Sequence, residues 1–247
     1  MKLPGLIAFY LIYLCVSLLK SPVQNIDKPY IKFLDVGQGD ATLIVTKTGK
    51  KILIDGGPGN DIDWYFSSSS IIGECHIELM ILTHDHADHS DGLERLLKHC
   101  KVDDYRKRLY AGDMITVDTT NLRVLWPPKD YDFTNTKDIN DSSIVILLED
   151  GDFSALLAGD VGGKVLCSLD YSKYLKGNLD VYKVSHHGSI TGYCDKLPVS
   201  KETTSVIFVG KDNKFGLPDE PVLENLTAKQ STIRRTDEEG TIELKME

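Results

Sequence analysis

The stretch IELMILTHDHADH, residues 77–89, sets an apolar run interrupted only by Glu78 directly against three histidines and two aspartates packed into seven positions. A short continuous apolar run bounded by polar residues reads as a strand buried on both faces. The following segment, DGLERLLKHC, has apolar residues at helical spacing with Asp91 as the expected N-cap. His84, His86, Asp88 and His89 therefore fall on a strand-to-helix junction. Imidazole nitrogens and carboxylate oxygens are the donors that borderline divalent cations such as zinc or manganese prefer.

Outward from this junction, YIKFLDV, ATLIVT and KILID are separated by the turn-type stretches GQGD and KTGK and predict an antiparallel meander. A short helix is expected within WYFSSSSIIGE. DMITVD, LRVLWP, SSIVILLED and DFSALLA read as further strands, the last two joined across Asp150-Gly151. A helix over most of 162–176, the strands LDVYKVS and TSVIFVG, a helix near 219–228 and a final hairpin around DEEGTIEL complete the chain. This order predicts an α/β (α+β) chain with two packed sheets and helices outside. With 247 residues, 41% hydrophobic and 26% charged, one domain with one sizeable core is the expectation.

Lys2 precedes seventeen residues, Leu3 to Leu19, that carry no formal charge. Residues 1–24 are thus expected to be an N-terminal signal peptide or membrane anchor, with cleavage left open, and residues 28–247 the folded domain. Such a protein is secreted or membrane-anchored and extracytoplasmic, with membrane association through residues 3–19. Leu14 is the wrong size for a lipid-attachment site at Cys15. Cys75, Cys100, Cys167 and Cys194 match no metal-binding spacing; one or two disulfides and buried free thiols both fit. The net charge of −9 argues against a broad basic face, and Arg106, Lys107 and Arg108 read as a solvated loop.

Five of the seven histidines lie in two groups, His84, His86 and His89, then His186 and His187. His76 and His99 lack ligand-type neighbours and read as ordinary surface residues. A local motif cannot close two coordination shells, so further donors must come from elsewhere. Asp160 after FSALLAG and His186 after LDVYKVS repeat the pattern of a strand ending in a ligand.

With these blocks in hand, the sequence resembles the metallo-β-lactamase-fold hydrolases, specifically the hydrolase domain of ComEC-type DNA-uptake competence proteins. The resemblance covers residues 30–245 and rests on FLDVGQGDATLI, ILIDGG, THDHADHSDGL, NDSSIVILLEDGDFSALLAGDV, VYKVSHHGS, FVGKDNKFGLP and RTDEEGTIEL, in that order. It implies a four-layer αββα sandwich with a two-metal site, zinc or manganese, along one edge. It implies His84 and His86 on one ion, Asp88 and His89 on the second, Asp160 between them, and His186 in preference to His187 completing the second. Asp88, touching the attacking water, would orient it or take its proton. Asp35, Gln38, Asp40 and Asp55 would support the ligands from behind, with a plain turn role the alternative for Gln38 and Asp40.

Two departures bear on the site. The stretch where relatives of this fold carry another histidine reads NDSS here, leaving Asn140, Asp141 and Ser142 as metal or substrate contacts and leaning the first site toward oxygen ligands and manganese. Gly216-Leu217-Pro218 stands where the family has Gly-His-Pro. Ser189, Asn213, Gly216, Thr236 and Asp237 would line the cleft. The resemblance implies an exported metal-dependent phosphodiesterase that acts weakly on DNA, with a separate membrane channel as partner. The alternatives are hydrolysis of another phosphodiester, ester or lactone, and a non-catalytic binding module of the same fold.

Overall fold

The computed structural model describes residues 28–67, 75–175 and 177–247. The apolar segment 3–19 and the second half of the stretch expected to hold a short helix lie outside these residues.

Two sheets form the centre. Strands β1 (Tyr30–Phe33), β2 (Thr42–Val45) and β3 (Lys51–Ile54) make the expected antiparallel meander, and β4 (His76–Ile81) and β5 (Lys101–Arg106) extend it in parallel. The second sheet runs through β6 (Met114–Val117), β7 (Thr120–Trp126), β8 (Val145–Asp150), β9 (Phe153–Leu157), β10 (Val181–Lys183), β11 (Thr204–Ile207) and β12 (Thr232–Arg235). It is antiparallel from β6 to β9 and parallel from β9 to β12.

Strand period decides how the layers stack. Ile52 and Ile54 point into a core shared with Ile146, Leu148, Ala155 and Leu157 of the other sheet, while Leu53 between them points outward onto Ile62, Phe66, Leu93 and Leu96. These last four belong to helices α1 (Asp61–Ser67) and α2 (Ala87–Leu96). Val145 and Leu147 likewise face outward onto Leu166, Val222 and Leu226, in helices α3 (Gly163–Ser168) and α4 (Glu220–Ala228). Both faces of each sheet are buried, which is why these strands read as continuous apolar runs. The result is a four-layer αββα sandwich.

Three expectations change. Helix α2 starts at Ala87 with His86 at its N-cap position, so Asp88 and His89 lie in its first turn and Asp91 is internal. The expected terminal hairpin is absent: β12 ends the second sheet, a short helix α5 (Thr236–Glu239) follows, and β13 (Ile242–Lys245) pairs with β1 across the sandwich. The helix expected over 162–176 is split into α3 and a 3-10 turn at Tyr171–Lys173. All four cysteines of the domain are paired, Cys75 with Cys100 and Cys167 with Cys194.

Candidate metal centre

Strands β1, β3, β4, β9 and β10 deliver their C-terminal ends to one edge of the sandwich, and the ligand-type residues sit just beyond them. The β1–β2 loop is drawn in tightly. A side-chain carbon on Gly39 would lie 2.3 Å from the Asp88 carbonyl oxygen, and one on Gly56 2.4 Å from the Leu93 nitrogen, so only glycine lets this backbone reach helix α2. Asp40 N–H donates to the Asp88 carbonyl at 3.1 Å and Gly56 N–H to that of His89 at 2.8 Å, which fixes the first turn of the helix.

His89 is wholly buried, and its Nδ1 lies 2.8 Å from Asp55 Oδ2. Asp55 is itself held by the backbone N–H and hydroxyl of Thr83 at 2.8 and 2.7 Å. A carboxylate on Nδ1 makes that nitrogen the donor and leaves Nε2 free to bind. His187 is set in the same way, with Nδ1 3.1 Å from the Phe208 carbonyl and Nε2 turned inward, 3.3 Å from Asp88 Oδ2 and 3.4 Å from Asp160 Oδ2. The Asp160 backbone N–H donates to the Ser143 hydroxyl oxygen at 3.1 Å. Ligand atoms of Asp40, His89, Asp160 and His187, all buried, lie within 4.8 Å of one another.

Of the two histidines after LDVYKVS, His187 rather than His186 reaches this cluster. His186 and His187 are consecutive left-handed residues, φ 52° and 54°, followed by Gly188 at φ 80°. Left-handed backbone costs a residue with a Cβ about 1–2 kcal/mol, and this tight turn sends the two imidazoles different ways. His187 enters the buried cluster. His186 is half-buried, with Nδ1 3.1 Å from the Thr191 hydroxyl and Nε2 3.4 Å from Asn140 Nδ2.

On the neighbouring side, His84 Nε2 and His86 Nδ1 face each other at 3.0 Å, and the His84 ring lies 4.2 Å from that of His89. Burial, with His89 beside it, pushes the His84 imidazole down to about 2, so it stays neutral and able to donate a lone pair. Asp88 is a carboxylate held at about 2: burial opposes this, but the His187 hydrogen bond and the nearby His89 and His187 outweigh it.

Lys183 is the residue that sequence reasoning missed. It is 2% exposed, donates to the Gly159 carbonyl at 2.7 Å, forms an ion pair with Asp40 and lies 3.4 Å from Asp160 Oδ1. Burial works against its charge, yet Asp40 and Asp160 keep its pKa raised. It neutralises the carboxylates from behind and leaves Asp160 Oδ2 facing the imidazoles. A lysine in the otherwise apolar VYKV was the available signal.

Other expectations fare differently. Asp35 Oδ1 accepts from Gly37 N–H at 3.2 Å, a turn contact, whereas Asp40 is the carboxylate 3.5 Å from His187 Nδ1. Asp141 Oδ1 accepts from Gly162 N–H and the Ser142 hydroxyl donates to the Ile139 carbonyl, so neither is free; Asn140 is buried with Oδ1 unpartnered. Of the expected cleft residues, Thr236 is buried and exchanges hydrogen bonds with the Val209 backbone, and Asp237 pairs with Arg235. Asn213 satisfies its own turn through Phe215 and Leu217, Gly216 supplies the left-handed φ of 72° in that turn, and the Ser189 hydroxyl caps Thr191. These residues build the rim rather than line it with free polar groups.

The donor set fits a divalent metal. His89 Nε2, Asp40 Oδ1 and Asn140 Oδ1 are buried polar atoms without hydrogen-bond partners, a costly arrangement in a dry interior unless something binds there.

The profile of the metallo-beta-lactamase superfamily matches residues 34–140. Recombination protein 2 of Haemophilus influenzae is 30% identical over 254 residues, covering 95% of this chain and 31% of that protein. ComE operon protein 3 of Bacillus subtilis is 26% identical over 259 residues, covering 86% and 32%. The chain thus spans about a third of the length of these curated relatives. The crystal structure of YhfI from Bacillus subtilis, described as a metallo-beta-lactamase fold protein, matches with TM-score 0.52 at 12% identity, over 88% of this chain and 99% of that one. Fold, motif order and relatives agree: the chain is a metallo-β-lactamase-fold protein, related to competence proteins of the ComEC type.

Proposed function

We propose that this chain is an exported metal-dependent phosphodiesterase that acts on DNA. The observation that carries the reading is the buried, incompletely hydrogen-bonded set of nitrogen and oxygen donors at the sandwich edge. His84 and His86 would hold one ion. Asp88, His89 and His187 would hold the second, with Asp160, whose Oδ2 faces His89 and His187, completing the donor set. Two bound divalent ions supply Lewis acidity that makes water a nucleophile near neutral pH and offsets charge on the phosphoryl oxygens.

The chain's own residues do the rest. Asp55 and the Phe208 carbonyl hold His89 and His187 in the tautomer that presents Nε2. Lys183 balances Asp160 and Asp40, so that the donors can be crowded together without unfolding the edge. Asp88 is the least buried of the acidic donors, with its side chain 33% exposed, and faces the open side. A carboxylate this acidic orients the attacking water more than it retains a proton.

Export is supported by the uncharged stretch Leu3 to Leu19 and by the two disulfides, which persist in oxidising compartments. Among the described residues no helix is long and apolar enough to cross a membrane.

The test is hydrolysis by the purified protein of single-stranded DNA, double-stranded DNA, a small phosphodiester and a lactone, with manganese, with zinc and with chelator. DNA cleavage that requires metal and weakens with salt is expected. Ready hydrolysis of the lactone or small ester with DNA left intact would replace this reading with the alternative hydrolase.

A further inference from the structure

Next to the metal-ligand set the structure holds a cavity of about 320 Å³, within the range of small-molecule sites. His84 forms part of its wall. Lys107, Arg108, Phe133 and Asp85 form the rest of its chemically distinctive lining. Lys107 and Arg108, which read in sequence as a solvated loop, are exposed cations at the end of β5, while Phe133 comes from the β7–β8 connection. Only the fold brings them together.

The geometry points to a nucleotide-binding subsite. The Arg108 guanidinium lies 5.0 Å from the Phe133 ring centroid, and Lys107 Nζ lies 5.4 Å from that of Tyr105. Tyr131 and Tyr110 pack T-shaped against Phe133 at centroid distances of 5.0 and 6.2 Å, which stiffens the ring and the Arg108 guanidinium lying over it. A flat aromatic face flanked by cations is what single-stranded nucleic acid needs, the ring stacking a base and the cations meeting phosphate. A second cavity, about 450 Å³, lies at the opposite end of the sandwich, where Glu149, Asp152, Asp180 and Glu202 line it. An anionic substrate is excluded from that end by charge.

This assignment rests on the phosphodiesterase reading and deepens it: the base of the nucleotide beside the scissile phosphate stacks on Phe133, its flanking phosphate meets Lys107 and Arg108, and the scissile phosphate falls at the His84 side. Recognition of this kind is tolerant of sequence, because every base has a flat face.

Calorimetric titration of the manganese-loaded full-length protein with deoxythymidine 5′-monophosphate, 2-deoxyribose 5-phosphate and inorganic phosphate tests it without turnover. The nucleotide should bind about 10-fold tighter than the sugar phosphate, the stacking advantage of one base. Phe133→Ala should erase that ratio and Phe133→Tyr should keep it. Arg108→Ala should weaken the nucleotide and the sugar phosphate alike. Manganese content equal to wild type shows that each variant has kept its fold. Equal binding of nucleotide and sugar phosphate by the wild type, or a ratio that survives Phe133→Ala, overturns the subsite. A ratio that behaves as expected in a protein that leaves DNA uncut confirms the subsite and removes only the nuclease reading; DNA cleavage with a ratio of one does the reverse.

Discussion

The two ends of the sandwich handle buried and half-buried charge in opposite ways. At the end away from the site, Asp118 in the β6–β7 turn takes the Thr46 hydroxyl at 2.5 Å, the Thr48 hydroxyl, and the Lys50 ammonium at 2.7 Å, tying the turns of the two sheets together. Every strong partner the carboxylate can use is present. At the other end Asp40, His89 and Asn140 each keep a buried polar atom without a hydrogen bond, although the same kinds of residue surround them. A saturated polar cluster is structural; an unsaturated one in a dry interior is built for something absent from the polypeptide. Lys183 belongs to both kinds, since it satisfies Asp40 and Asp160 on their far side and leaves the near side open.

The largest effect that can break this contrast is Lys183→Met. Removing one partner of a buried charge group costs about 3–5 kcal/mol, so urea unfolding of the metal-free protein should show a loss of that size, partly restored by manganese or zinc. A variant as stable as wild type without metal would mean that the carboxylates do not need the lysine.

The Cys75–Cys100 bond, which closes a separation of 25 residues at the end remote from the site, offers the next test. Replacing both cysteines by serine should cost about 3 kcal/mol by the loop-entropy account while metal affinity stays at the wild-type value. A fall in metal affinity would show that the two ends are coupled.

Asp55→Asn acts on the other side of the comparison. The amide keeps the shape but weakens its hold on His89 Nδ1, and loss of such a support lowers metal affinity by about 10–100-fold. Competition with a chromophoric chelator measures it, and unchanged affinity would separate His89 orientation from Asp55.

The smallest effect is acid sensitivity at Asp118. Burial raises its pKa, but Lys50, Thr46 and Thr48 outweigh burial and bring it down from 3.8 to about 2. A depressed carboxylate stabilises the fold above its ordinary pKa, and that contribution is lost as the pH falls from about 4 to about 2. For a surface turn it amounts to no more than about 1 kcal/mol. Asp118→Asn should flatten this part of the stability profile; an unchanged profile would remove Asp118 from the account.

Much of this was legible before the structure. The apolar run ending in THDHADH announces a buried strand feeding a ligand cluster, and Asp160 follows the same pattern because strand ends from both sheets converge on one edge of the sandwich. The choice between His186 and His187 was not legible. Period-two counting fails once the backbone turns left-handed at both residues, and only the turn decides which imidazole goes inward. Lys183 was hidden for a related reason, since a cation in a buried strand makes sense only when its carboxylate partners, 23 and 143 positions away in Asp160 and Asp40, are seen beside it. The polar groups of Asn213, Thr236 and Asp237 bond within their own surroundings, a local competition that spacing does not display.

The central claim, that the unsaturated end is a metal centre, is tested most directly by counting metal. Full-length protein dialysed against manganese or zinc, then freed of loose ions, should retain two ions per chain by elemental analysis, and Asp160→Asn should retain fewer with an unchanged circular dichroism spectrum. Wild-type protein that retains none, or Asp160→Asn that retains both, would contradict it.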